Sequence, residues 1–209
     1  MDISQRSAYV PKAPNFYAGR GEIQVTQANL PHWNKANTAC FVTFRLFDSL
    51  PEEKLQALEA ERKDWLGRHP KPWDEETLKD YHASFSAREQ DWLDCGYGCC
   101  LLAKAEVREI VEASLWHFAG ERYELYAHCV MPNHVHVLFM PSDDVTMSDA
   151  VQGWKSFTAH QIVRRGLHEG TLWQKESFDT LVRSERHFKA ILKYIRENDL
   201  RRSWAYNMI

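Results

Sequence analysis

The sequence predicts an α+β fold, an antiparallel sheet with helices packed on one face. Three observations predict it. Strand-like and helix-like runs follow one another as β-α-β-β-α-β and then one more helix, once a helical excursion at 51–93 is set aside. Two of the strand-like runs, "RYELYAHCVM" and "HVHVLFM", are separated only by Pro132-Asn133, a turn short enough to make them antiparallel neighbours. The chain, at 209 residues, is long enough to bury a sizeable core.

Each element has its own signal. Residues 1–30, rich in Pro, Gly and polar side chains, read as a flexible leader, and 31–209 as a single domain. "TACFVTFRLF" (38–47) is β-branched and aromatic and reads as a strand. "DSLPEEKLQALEAERKDWLG" reads as a helix capped by Asp48 or Ser49, with Pro51 in its first turn. "HPKPW" breaks it, "DEETLKDYHASFSAREQDWLD" resumes helical spacing, and "CGYGCC" ends the excursion with two glycines. Val107, Ile110, Val111, Leu115 and Phe118 fall at helical intervals within 103–121. The hairpin follows, then a helix "TMSDAVQGWKSFTAHQIVRRG" stopped by Gly166, a short strand "FDTLVR", and a last helix that Ser184 can cap. This order is that of the ferredoxin-like split βαβ sheet.

Composition narrows the setting. No run of about 18 apolar residues exists, so no membrane span is expected, and the N-terminus lacks the apolar stretch of a secretory signal. Five cysteines at irregular spacing argue against a disulfide framework and for a reducing cytoplasm. Cys95 and Cys99 have a zinc-compatible spacing, but a second ligand pair is missing. The net charge of −3 is unevenly spread: residues 155–209 hold eleven Lys+Arg against six Asp+Glu, the first 154 fifteen against twenty-three. A basic C-terminal third suits a polyanion-binding face, and equally a solvated helix surface.

Two clusters could carry chemistry. In "MPNHVHVLFMP" (131–141) strand alternation puts His134 and His136 on one face and Val135 and Val137 on the other. Two neutral imidazoles at i and i+2 can grip one divalent cation; the same spacing also fits a half-exposed surface pair. On the last helix Phe188, Ile191, Leu192 and Ile195 form an apolar stripe. Tyr194 and Asn198, four residues apart, share one margin of it with His187. If that margin faces the histidine strand, Asn198 could be a third ligand and Tyr194 could point at what the metal holds. A core tyrosine with its hydroxyl at the surface, and an asparagine serving as a cap, fit the same pattern.

The motifs occur in a familiar order. "MPNHVHVL", "GWKSFTAHQI", "LWQKESFDTLVRSERHF" and "YIREN", with "LPHW" and "FVTFRLFDSLP" upstream, resemble the REP-associated tyrosine transposases. These form a branch of the single-tyrosine HUH (IS200-like) transposases. The resemblance runs from about residue 30 to about residue 204. It implies that His134 and His136 are the metal-binding pair, Tyr194 the nucleophile and Asn198 the remaining ligand. It also implies single-stranded or hairpin DNA as substrate, cleaved through a 5′-phosphotyrosine; Mg²⁺ or Mn²⁺ suits that chemistry as cofactor, and the ligands alone are also compatible with Zn²⁺. The expected setting is the cytoplasm, at the nucleoid, and the expected assembly a monomer or homodimer. Lys155, Arg164, Arg165, Arg183 and Arg186 are the candidate phosphate contacts, with Trp154, Trp173 and Phe178 as stacking surfaces. A catalytically silent hairpin-binding protein is the alternative, and a hydrolytic metal nuclease in which Tyr194 only positions DNA is a third reading. One departure is visible: Asp199 stands where the family ends this helix with proline.

Overall fold

The computed structural model describes residues 3–17, 24–27, 31–70 and 73–205. It begins with helix α1 (Ile3–Ala8) and a hairpin of strands β1 (Gln24–Gln27) and β2 (Pro31–Asn34). That hairpin was not anticipated from the sequence. Nor does residue 9–17 behave as the flexible leader expected of it. The Tyr9 hydroxyl donates to Glu124 Oε2 at 2.6 Å and accepts from the Leu125 amide at 3.1 Å. Farther on, the Tyr17 amide donates to the Val182 carbonyl and Asn15 accepts from the Ala39 amide, so the segment is stitched to the sheet.

The sheet itself starts with β3 (Cys40–Arg45). The excursion follows as α2 (Glu52–Arg68), α3 (Glu75–Tyr81), a π-helical turn (His82–Ser86) and α4 (Ala87–Asp94). Neither expected cap forms on α2. Ser49 Oγ instead donates to the Leu46 carbonyl, and Asp48 Oδ2 accepts from the Cys99 amide at 2.7 Å. That last bond brings the 95–100 loop against the end of β3. Gly98 is required there: its φ is +87°, and a Cβ would strike the Asp48 backbone. The excursion has its own small core of Leu58, Trp65, Tyr81 and Phe85.

Helix α5 (Ala105–His117) leads into strands β4 (Tyr123–Val130) and β5 (His134–Pro141), then α6 (Met147–Arg164), β6 (Phe178–Leu181) and α7 (Glu185–Ala205). The strands line up β4-β5-β3-β6, every neighbour antiparallel, with β5 inserted between β3 and β4. This is the split βαβ sheet that the element order predicts. Caps on α6 and α7 agree with local chemistry: Thr146 and Asp149 form a reciprocal capping box, and Ser184 Oγ accepts from the His187 amide at 3.2 Å. Asp199 continues α7 where a proline would have closed it.

Alternation along the strands gives the sheet two unlike faces. Val42, Phe44, Val135, Val137 and Phe139 pack with α5 and α6 residues such as Val107, Val111, Leu115, Val151 and Trp154. Phe41, Cys129 and Leu138 point the other way, onto Ile191 and Ile195 of α7. Thr43, His134 and His136 are equally buried but polar, and they belong to this second face. A polar end is thus left beside the apolar stripe of α7, and the chemistry gathers there.

Candidate active site on the second sheet face

Burial and two anchors define the histidine pair. Both imidazoles are fully buried, and their Nε2 atoms lie 3.0 Å apart. Asn133 Nδ2 donates to the carbonyls of Leu93 (3.2 Å) and Tyr97 (3.0 Å), which fixes its Oδ1 as the acceptor facing His134 Nδ1 at 2.8 Å. His134 therefore carries its proton on Nδ1 and presents a lone pair at Nε2. His136 Nδ1 is held at 2.8 Å by Thr43 Oγ1, its register partner on β3. Burial lowers the His134 pKa to about 3; burial, with His134 alongside, holds His136 well below the usual histidine range. Both rings are neutral at pH 7, the state in which imidazole binds a metal.

Helix α7 brings Tyr194 to this pair. Its hydroxyl lies 3.3 Å from His136 Nε2 in the same chain, and its ring meets His136 edge-on at 5.2 Å. Phe41 stacks on His136 at 5.5 Å and meets the Tyr194 ring edge-on at 6.1 Å. Asn198, one turn on, is 1% exposed, and its Nδ2 has no hydrogen-bond partner among the described residues. No described hydrogen bond joins it to either imidazole. Among the described residues, no three His, Cys, Asp or Glu side chains form a ready-made metal cluster. A third protein donor would have to be an amide or a hydroxyl.

The helical excursion, set aside when the strand order is read from the sequence, also reaches the histidine pair. Gln90 of α4 places Nε2 3.4 Å from both imidazole Nε2 atoms and donates to Asp94 Oδ1 at 3.1 Å. Asp94 Oδ1 lies 3.8 Å from His134 Nε2. The signal was the pairing of Gln90 and Asp94 at i and i+4, on one face of a helix. A cleft of about 630 Å³ opens between α4, the β3–β6 edge and α7, with Phe41, Gln90, Phe178, Arg183, His187 and Tyr194 in its lining.

The basic candidates divide. Arg183 lines the cleft, and Arg186 is exposed on the first turn of α7. Arg164 and Arg165 are exposed at the end of α6, on the opposite side of the sheet, bonded to Gln161 and Glu106 respectively. Lys155 is not a surface contact: it is 7% exposed, and its Nζ donates to the carbonyls of Gln174 and Lys175 at 2.9 and 3.0 Å. Burial lowers its pKa to about 8. Its helical position turned it inward, and the loop before β6 needed a donor. Trp154 and Trp173 are core residues whose indole N–H groups bond Tyr123 and Thr158, whereas Phe178 does line the cleft. Cys95 and Cys99 are exposed free thiols. His128 accepts from the Trp116 indole, while the His32 side chain lies outside the described residues.

Residues 102–198 match the family model described as "Transposase IS200 like". Two solved structures are similar. One is a REP-associated tyrosine transposase bound to a REP hairpin, 13% identical, covering 85% of this chain and 76% of that one, with a TM-score of 0.46. The other is a Deinococcus radiodurans protein provisionally named a transposase, 17% identical, covering 87% and 97%, with a TM-score of 0.33. No curated protein matches the chain. Among the described residues, no helix is long and apolar enough to cross a membrane.

Proposed function

From the match of residues 102–198 to the IS200-like transposase family model, we propose that this chain cleaves and rejoins single-stranded DNA through Tyr194. The observation that carries the reading is the approach of the Tyr194 hydroxyl to within 3.3 Å of His136 Nε2, itself 3.0 Å from His134 Nε2.

The residues fit a divalent cation, Mg²⁺ or Mn²⁺. Two neutral imidazoles converge through Nε2, each fixed from behind at Nδ1, as metal-binding histidines are. The buried Asn198 amide, unpartnered at Nδ2, is a candidate oxygen donor once its assigned O and N are exchanged. When bound, such a cation polarises a non-bridging phosphate oxygen and offsets the charge that grows there during displacement.

The chain's own residues do the rest. Tyr194 Oη attacks phosphorus, forming a Tyr–O–P bond as the P–O3′ bond breaks. The phenol's proton ends on the departing 3′ oxygen, so the products are a 5′-phosphotyrosyl protein and a free 3′-hydroxyl. The diester is conserved, and a second 3′-hydroxyl can reverse the step to rejoin strands. No nucleotide cofactor is needed. Arg183, within the cleft, and Arg186, exposed on the first turn of α7, offer phosphate contacts, and Phe178 a surface on which a base can stack. The substrate class is single-stranded DNA bearing a foldback hairpin, of the REP type, which leaves the scissile strand accessible.

A labelled hairpin oligonucleotide incubated with the protein and Mn²⁺ tests the proposal. An SDS-stable adduct that is absent in Tyr194→Phe supports it. Hairpin binding without cleavage would instead identify a silent DNA-binding relative, and cleavage surviving Tyr194→Phe a hydrolytic nuclease.

A further inference from the structure

We infer that the helical excursion completes the cation site, with Gln90 as its third protein donor through the amide oxygen and Asp94 as the counter-charge; this rests on the metal reading above. The first argument is spacing. Neighbouring donors around a cation with bonds of ~2.1 Å stand ~3.0 Å apart at right angles, and somewhat farther at wider angles. The two imidazole nitrogens are separated by 3.0 Å, and the Gln90 amide lies 3.4 Å from each. These three atoms make a triangle of the size that one face of such a polyhedron requires.

The second argument is hydrogen-bond logic. His134 Nε2 is committed to a lone pair by Asn133, and Asp94 Oδ1 is an acceptor 3.8 Å from it. The Gln90 NH₂ group now sits between these acceptors, donating to Asp94 at 3.1 Å. A positive end of a dipole thus occupies ground that acceptors on α4 and β5 surround. Rotating the terminal amide by half a turn exchanges NH₂ for oxygen without moving the helix, a torsion with a broad, two-fold profile. The same atom position then offers a ligand instead of a donor.

Charge and rigidity supply the third. Two neutral imidazoles and an amide leave a divalent cation with no formal counter-charge, and hard cations favour carboxylate nearby. Asp94 provides it from one turn beyond Gln90. Helix α4 is also held in register. The Leu93 and Tyr97 carbonyls accept from Asn133, the residue that sets the His134 tautomer. At the helix's other end Glu89 pairs with the buried Arg45 of β3 at 3.3 Å and with Arg62 of α2 at 3.3 Å. The excursion is therefore fastened to the histidine strand on both sides of Gln90.

Mn²⁺ titrated into the full chain, followed by calorimetry and by loss of the free-ion paramagnetic resonance signal, tests this without reference to activity. Gln90→Ala and Asp94→Asn are each expected to raise the Mn²⁺ Kd at least tenfold, and Gln90→Glu to restore or tighten it, all with wild-type circular dichroism. Wild-type affinity in both Gln90→Ala and Asp94→Asn, with binding lost in His136→Ala, overturns the inference and leaves the metal reading standing. So does a loss confined to Asn198→Ala, which would assign the third donor to α7. Failure of the wild-type chain to bind Mn²⁺ defeats both.

Discussion

The Tyr194 hydroxyl and His136 Nε2 lie 3.3 Å apart in a single chain, although 58 residues separate them in sequence. Two elements make the meeting: β5, whose alternation turns His136 toward the second face, and α7, whose apolar residues Ile191 and Ile195 dock on that face. The proposed nucleophile and the candidate metal ligands therefore come together within one chain.

The groups behind the imidazoles give the first prediction. Thr43→Val or Asn133→Ala removes the partner of one Nδ1 and frees that ring to change tautomer. Each change is expected to weaken Mn²⁺ binding about 10–100-fold, read by calorimetry, since outer partners of metal-binding histidines carry that much. Unchanged affinity in both would mean that the rings are oriented by packing alone.

Stability should fall in acid through the same pair. His134 titrates near pH 3 when folded and near 6.5 when unfolded, with His136 shifted in the same direction, so the unfolded chain binds more protons between those values. The stability they contribute is whole above about pH 6.5 and drains away as pH falls toward 3. Between pH 7 and pH 5 the metal-free wild-type Tm is expected to drop more than that of the His134→Gln/His136→Gln double variant. Parallel curves would contradict the burial argument.

Lys155 is expected to matter for folding rather than for DNA. Lys155→Met strands the carbonyls of Gln174 and Lys175, at a cost of about 1–3 kcal/mol in chemical denaturation. The affinity of folded Lys155→Met for hairpin DNA should match wild type, and a fall in its salt dependence would return Lys155 to the DNA surface.

The arginines separate by sheet face. Arg183→Ala should weaken single-strand binding and lower the salt slope by about one unit, as loss of one phosphate contact does, whereas Arg164→Ala should change neither. Equal losses from the two, in fluorescence anisotropy across a salt series, would show that DNA also covers α6.

Much of this was readable in the chain. The strand order follows from the β-α-β-β-α-β run, and the shared face of His134 and His136 from a period of two. What stayed hidden depended on contacts between distant segments. Lys155 counts as basic in any tally, yet its place on α6 points it at a loop with spare carbonyls. Arg164 and Arg165 sit close in sequence to cleft residues but on the far side of the sheet. Gln90 lies in a stretch whose helical pattern says nothing of where it docks; only the folded excursion, tied through Asn133 and Arg45, delivers it to the imidazoles. Residues 9–17 look like leader because their bonds go to Glu124, Leu125 and Val182, far along the chain.

The central claim is that the Tyr194 oxygen becomes the one bonded to DNA. Mass spectrometry of the proteolysed adduct, formed on a hairpin oligonucleotide with Mn²⁺, reads that bond directly. The account predicts a 5′-phosphonucleotide on the peptide containing Tyr194, with an equal yield of free 3′-hydroxyl strand. A nucleotide carried by any other residue, or a 3′-phosphate link in its place, would contradict it.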